Sequence, residues 1–517
     1  MDVIRSKKNI LTSIIYKTVL LGLGILTTRF LILYTGNEIN GLNSLFKSIV
    51  GFLNIAELGV GTAISYSMYK PIVEGNDATV SALYKLFKKV YLIISMIIFI
   101  GGLLILPLLP VLVKGYTADI NIYFTYILML ISVVISYFYS AKTSLVNAYK
   151  DNYVTTTIYS VGMIFQQVLQ IVVLILFKSF ELYLVCRTIA MLFQWLLTEL
   201  YVKKKYIHII KNKESEISSE LKKDIVRNSK AMFMHKIGGA LVNSAGNIMI
   251  SAFCGVIVLG KYSNYVSIMT SMIGVLILFF IPLTSIIGHV FAESGGNILQ
   301  RYYGFFCGFN YILGVIFFLG YYSVIDDLIS VFYGNNLDID NFIVALITIN
   351  FFLQFFRQAT LLFRDSTGTF YYDRWKPIIE GTVNILLAFL LVSVLPEHLR
   401  LMGVLISSIV SNLFVCHIIE PYVLYKHVFK TSIKSYYIRN YTLILIFIML
   451  LGVCRMFRID LANPWLNILI NGSISVVVSL LSIPLIVCIN KDFAYYFKRL
   501  TKKALQRICC IVKRGNC

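Results

Sequence analysis

Charged residues are few. They make up 14% of the 517 residues, while 58% are hydrophobic, which excludes an ordinary soluble domain and leaves apolar sequence for many membrane spans. Acids are scarcer still, 25 Asp and Glu against 46 Lys and Arg. In a soluble chain a net charge of +21 would point to nucleic acid; here the placement of the charge matters more than its sum, and no nucleic-acid partner is expected. The nine cysteines are scattered without metal-ligand spacing. Cys509, Cys510 and Cys517 lie in a basic tail, where reduced thiols suit a cytoplasmic setting and acylation is the alternative. No nucleophile and base stand at a familiar spacing, and there is no phosphate-binding glycine loop, so neither an enzyme centre nor a cofactor is expected. The opening MDVIRSKKNILTS has a basic leader and an apolar run but no small-residue cleavage site, and reads as a retained span.

Windows able to cross about 30 Å of hydrocarbon fall at 10–35, 42–69, 88–113, 121–147, 154–177 and 180–202, then at 231–255, 260–287, 303–332, 341–363, 376–395, 400–424, 441–457 and 464–489. The expected fold class is therefore an all-α polytopic membrane protein of about fourteen transmembrane helices, with twelve plus a hairpin as the alternative count. With the N-terminus inside, 34 of the 46 Lys and Arg fall in inside loops and tails and six in outside loops. That bias predicts that both termini are cytoplasmic and the number of spans even.

The chain repeats itself at an offset of 219: Lys17 falls on Lys236, Tyr16 on His235, Thr28 on Asn247, and GLNSLFKSI from Gly41 on GKYSNYVSI from Gly260. Near an offset of 222, Lys142 falls on Arg364, Tyr149 on Tyr371 and Asp151 on Asp373. Two six-helix halves of the same orientation make a parallel repeat. The expected organisation is an N-terminal six-helix lobe at 1–202, a basic cytoplasmic connector at 203–230, a C-terminal six-helix lobe at 231–425, an extra helix pair at 426–490 and a basic tail at 491–517. The connector reads equally as an interfacial amphipathic helix or as a solvated linker.

The basic residues inside spans are the main functional candidates, because a charge in hydrocarbon is costly and is retained for use. Lys17 and Lys236 lie about 10 Å in from the cytoplasmic edge by helical rise; Arg29, Lys47 and Arg187 lie toward the outer ends of their spans, and Arg357 lies in the tenth. The bland alternative is that each snorkels to its nearer interface. Lys236, Asn243 and Asn247 share one face of the seventh span, Asn350, Gln354 and Arg357 one stripe of the tenth, and Gln166, Gln167 and Gln170 crowd the fifth. Such amides suit sugar hydroxyls, or bridge helices. Acids within spans reduce mainly to Glu57 and to Glu380, which could neutralise Arg357. This excess of positive charge implies anionic cargo. Asp326-Asp327 read as solvated helix-end carboxylates rather than a metal site.

Arg29 followed by TGNEINGLNSLFKSIVGFLNIAELGVGTAIS resembles the start of bacterial polysaccharide-biosynthesis flippases, with Gly36, Gly41, Glu57, Gly59 and Gly61 as the matched positions. Their superfamily also holds multidrug exporters of MATE type and peptidoglycan lipid flippases. The resemblance implies a MATE-like fold and the transfer of undecaprenyl-diphosphate-linked oligosaccharide repeat units from the cytoplasmic to the outer leaflet, for O-antigen, capsule or exopolysaccharide. It implies a bacterial inner-membrane location, membrane lipid and pathway polymerase and chain-length proteins as partners, a monomer, and a cationic lumen to which Lys17, Lys47 and Lys236 would contribute. Lysine stands where arginine would be expected at most of these positions, which weakens the case for bidentate phosphate contact. The rival readings are an organic-cation antiporter on the same fold, which would want acids in its cavity, and a membrane glycosyltransferase or polymerase, which would want a substantial external loop.

Overall fold

A chain in lipid must satisfy its backbone internally, and helices do so; all regular structure among the described residues is helical. The computed structural model describes residues 2–57, 60–212, 223, 225–226, 244–277, 280 and 283–499. Lys236 and Asn243, most of the connector, and the tail cysteines Cys509, Cys510 and Cys517 lie outside the described residues. In the first half the helices are α1 (Asp2–Thr35), α2 (Asn37–Leu53), α3 (Val60–Val73), α4 (Asp77–Ile105), α5 (Ile122–Ala148), α6 (Asn152–Phe177) and α7 (Phe180–Lys205). There follow α8 (Ser244–Cys254), α9 (Val256–Ile277), α10 (Leu283–Tyr333), α11 (Asn341–Ser366), α12 (Lys376–Val394), α13 (Glu397–Phe429), α14 (Lys434–Met456) and α15 (Pro464–Ile489). Among the described residues, eleven stretches are long and apolar enough to cross a membrane. Counting α2 with α3 as one pass and adding α8 and α9 gives the fourteen expected.

The polar residues between spans act as caps. Asn76 accepts from Thr79 N at 3.0 Å, Asn121 from Phe124 N at 3.0 Å, Ser179 from Leu182 N at 3.2 Å and Asp340 from Phe342 N at 2.8 Å, each satisfying a donor that the first helical turn leaves open.

The repeat is visible in the backbone. Gly36, between α1 and α2, has φ +88, and Gly255, between α8 and α9, has φ +97; the two are 219 positions apart, and both hold a conformation that side chains rarely adopt. One turn further on, the starts of α2 and α9 cross with backbones in contact. A Cβ on Gly41 would strike the carbonyl oxygen of Val256, and one on Gly260 would strike that of Asn37. Asn37 and Val256 are themselves repeat partners, so the crossing is reciprocal. Asn40 Nδ2 donates to Asn264 Oδ1 at 2.8 Å and Asn37 Nδ2 to Ile257 O at 3.0 Å, sealing it with amides. Gly41→Leu or Gly260→Leu should therefore cost about 1–3 kcal/mol or more, since the obstructing atoms are backbone. Gly22→Leu, where a Cβ meets nothing within 4 Å, should leave the thermal midpoint of the purified protein in detergent unchanged, and the comparison of the three midpoints checks the crossing.

The second span is not the single helix expected over 42–69. It breaks into α2, a 3-10 turn at Asn54–Glu57 and α3, because NIAELGVG supplies a carboxylate and two glycines where an apolar helix would continue. Glu57 accepts from Tyr91 Oη at 3.0 Å and from Tyr137 Oη at 2.9 Å.

The chain divides into two compact units, Met1–Asn264 with Phe332–Leu337 and Phe389–Val404, and Tyr265–Val331 with Asp338–Ala388 and Leu405–Cys517. The first is the bundle of α1–α7 with α8 along α2, where Asn247 Nδ2 donates to Ser48 Oγ at 2.9 Å. The second has an aromatic core in which Phe352 stacks on Phe447 with centroids 3.6 Å apart. Asp326 and Asp327 are not the solvated helix-end carboxylates expected. Asp326 accepts from Tyr265 Oη at 2.9 Å and pairs with Arg458 at 2.9 Å; Asp327 is 8% exposed and accepts from Asn467 Nδ2 at 3.0 Å. The turn after α14 folds Arg458 back over both, which no local pattern announced.

Candidate functional site

Five helices of the first unit and the 3-10 turn at Asn54–Glu57 converge on a cavity of about 420 Å³. Helix α6 presents Tyr159, Met163, Gln166, Gln167 and Gln170, and α7 presents Tyr183, Arg187, Met191 and Gln194; within each, steps of three and four keep the residues on one face. Helix α5 adds Ser132, Ser136 and Tyr139, α1 adds Thr27 and Thr28, and Lys47 enters from α2 beside Asn54 of the 3-10 turn. Gly24 of α1 also lines the cavity, and Gln167 Nε2 lies 3.6 Å from where a Cβ on it would stand, an ordinary contact distance.

The lining contains two cations and no carboxylate. Part of it is hydrogen-bonded within the protein: Tyr139 Oη donates to Gln194 Oε1 at 3.1 Å, and Gln170 Nε2 donates to Tyr183 O at 3.0 Å and accepts at Oε1 from Gln166 Nε2 at 3.3 Å. Four buried polar atoms of the lining residues have no hydrogen-bond partner among the described residues, namely Arg187 Nε, Gln194 Nε2, Gln166 Oε1 and Gln167 Oε1. Buried polar atoms are ordinarily paired, so this set is suited to a polar guest: donors and positive charge for an anion, amide oxygens for hydroxyl groups.

Of the residues selected from sequence, the structure brings Lys47 and Arg187 together, along with Gln166, Gln167, Gln170 and Thr28. Lys17 and Arg29 are exposed on α1 and do not line the cavity. Asn247 is committed to Ser48, and Gln354 Nε2 lies 3.5 Å from Asn350 Oδ1. Tyr139, Tyr159, Tyr183 and Gln194 were missed. The signal for the α7 pair was present, since Tyr183, Arg187, Met191 and Gln194 follow helical spacing in an otherwise apolar run.

Arg357 belongs to a different arrangement, in the second unit. Helix α11 kinks at this residue; the carbonyls of Phe355 and Phe356 both accept from Asn310 Nδ2 at 3.0 Å, and the kink lets the guanidinium fork onto Glu420. Nε lies 3.0 Å from Glu420 Oε2 and Nη2 2.5 Å from Oε1. Lys376 Nζ lies 2.7 Å from Glu420 and 2.9 Å from Glu380, and Arg357 reaches Glu380 at 3.6 Å. The expected Glu380 partner is present, but Glu420, fully buried, is the nearer acid, and two cations with two carboxylates leave the cluster neutral. Helix α13 delivers Glu420 on a segment flanked by π-helical turns at Asn412–Cys416 and Tyr425–Phe429, the register shifts that commonly re-aim side chains. Among the described residues no group of three or more His, Cys, Asp and Glu could hold a metal ion.

No family model and no curated protein sequence matches the chain. Solved structures do. An inward-facing multidrug resistance MATE family transporter of the MOP superfamily superposes with a TM-score of 0.62 at 15% identity, covering 81% of this chain and 100% of that one. The lipid II flippase MurJ in an inward closed conformation gives 0.62 at 15% identity, covering 95% and 99%. A MOP superfamily transporter from Pyrococcus furiosus, described by a reverse polarity of its binding pocket, gives 0.52 at 16%, covering 83% and 96%. At these identities the likeness is one of architecture: this chain has the all-helical membrane fold that the MATE transporters and MurJ share.

Proposed function

We propose that the chain is a flippase that carries undecaprenyl-diphosphate-linked oligosaccharide repeat units from the cytoplasmic to the outer leaflet, for O-antigen, capsule or exopolysaccharide synthesis, by alternating access. The observation that carries this reading is the cavity in which Lys47 and Arg187 stand without an acid among amides and hydroxyls. Two cations lining a cavity without an acid favour an anionic guest, and a diphosphate supplies the counter-charge while the sugar hydroxyls meet the glutamine and tyrosine groups. The volume is that of a site for a head-group portion, with the lipid left in the bilayer. An organic-cation exporter would need carboxylates there. Lys17, with Lys236 as its repeat partner, is assigned the first electrostatic contact at the cytoplasmic side. The fold is also one on which a lipid flippase, MurJ, is built.

Deletion of the gene should cause a lipid-linked oligosaccharide to accumulate on the cytoplasmic leaflet, with loss of the mature polymer, and the intact chain should restore both. An unchanged distribution across the two leaflets would refute the assignment.

A further inference from the structure

We infer that a second site, on the outside of the first unit, holds the head group of an anionic membrane phospholipid. A groove of about 460 Å³ lies against α4, α5 and α7. Lys85, Lys88 and Lys89 stand along its α4 side, and the α4 sequence beyond them carries no further charge and is largely apolar, so the lysines sit at head-group level and the groove continues along the hydrocarbon. Leu92, one turn below Lys88 and Lys89 on the same face, begins the apolar wall, and Phe138 and Trp195 complete it, packed edge to face at 6.3 Å. These three side chains are 46%, 43% and 37% exposed. The wall therefore opens outward, away from the interior cavity that contains Lys47 and Arg187.

The charge balance decides the occupant. Lys142 at the groove's edge is neutralised by Glu199, and Lys85 Nζ donates to the carbonyl of Asn212 at 2.7 Å. Lys88 and Lys89 are exposed and make no ion pair among the described residues, and no acid lines the groove. Two free ammonium groups above an aromatic and aliphatic wall match a phosphate on an acyl-bearing molecule, the pattern by which basic pockets between transmembrane helices take acidic lipids. A soluble phosphate would use the lysines and leave the wall uncovered. The groove shares no residue with the proposed cargo cavity, so this assignment stands independently of the transport reading.

Trp195 provides the probe. With Trp375→Phe and Trp465→Phe it becomes the single tryptophan of the full chain, which is reconstituted in phosphatidylcholine vesicles containing a minor fraction of brominated phosphatidylglycerol or brominated phosphatidylcholine. The anionic quencher should be several-fold more effective at equal mole fraction. Lys88→Ala/Lys89→Ala should abolish that excess, at roughly five-fold weaker binding per lysine. Lys204→Ala/Lys491→Ala, which removes the same charge from exposed residues that do not line the groove, should preserve it. Equal quenching by the two lipids, or an equal loss in the control pair, overturns the site. Displacement of the quencher by glycerol 3-phosphate assigns the lysines to a soluble phosphate and overturns it as well.

Discussion

Arg187→Ala and Lys47→Ala should each reduce cargo transfer about thirtyfold, because a charge-assisted hydrogen bond to a buried phosphate contributes roughly 2 kcal/mol. Neither cation has a carboxylate partner in the cavity, so neither variant strands a buried acid, and the thermal midpoint should hold or rise. Lys47→Arg keeps the charge and should retain much of the activity, with slower release if the fork holds phosphate too firmly. Lys47→Glu should do worse than alanine, since it adds repulsion to the loss. The measurement is the transfer of a lipid-linked oligosaccharide in proteoliposomes, normalised to inserted protein. Stable alanine variants that transfer normally would falsify the cavity as the anion site.

The second large effect concerns stability. Glu420→Ala removes the carboxylate that Arg357 and Lys376 share, leaving both cations to Glu380 and one net positive charge buried. Removal of one partner from a buried ion pair costs about 3–5 kcal/mol, and for a cluster this enclosed the full figure is expected, read as a fall in the thermal midpoint of the detergent-purified protein. Glu420→Leu/Lys376→Met deletes one charge of each sign, leaves Arg357 with Glu380, and should recover most of the loss. If the double variant is as unstable as Glu420→Ala, packing at α13 rather than charge balance explains the defect. Arg357 is thus neutralised within the protein, whereas Lys47 and Arg187 line a cavity that holds no carboxylate.

Local features of the sequence determined the architecture. Apolar runs of spanning length gave the helices because a bilayer leaves the backbone no other choice. The repeat at 219 marked in advance the two positions where the crossing helices admit only glycine, Gly41 and Gly260, and aligned the positive-φ bends at Gly36 and Gly255. The excess of bases over acids within spans likewise pointed to Lys47 and Arg187, and the glutamines of α6 to the lining that surrounds them.

Which charges remained free was decided only by the tertiary structure. Lys47, Arg187 and Arg357 are alike in sequence, single cations in apolar helices; the difference arises from long-range pairing. Glu420 stands at the end of its span, where a carboxylate reads as interfacial, and only the kink at Arg357 and the π-helical turns of α13 bring it under the guanidinium. Arg458 reaches Asp326 in the same way, through a turn whose direction depends on packing. Periodicity reports which face of a helix is apolar, whereas the pairing of two charges depends on how distant helices cross, and that is fixed when the bundle packs.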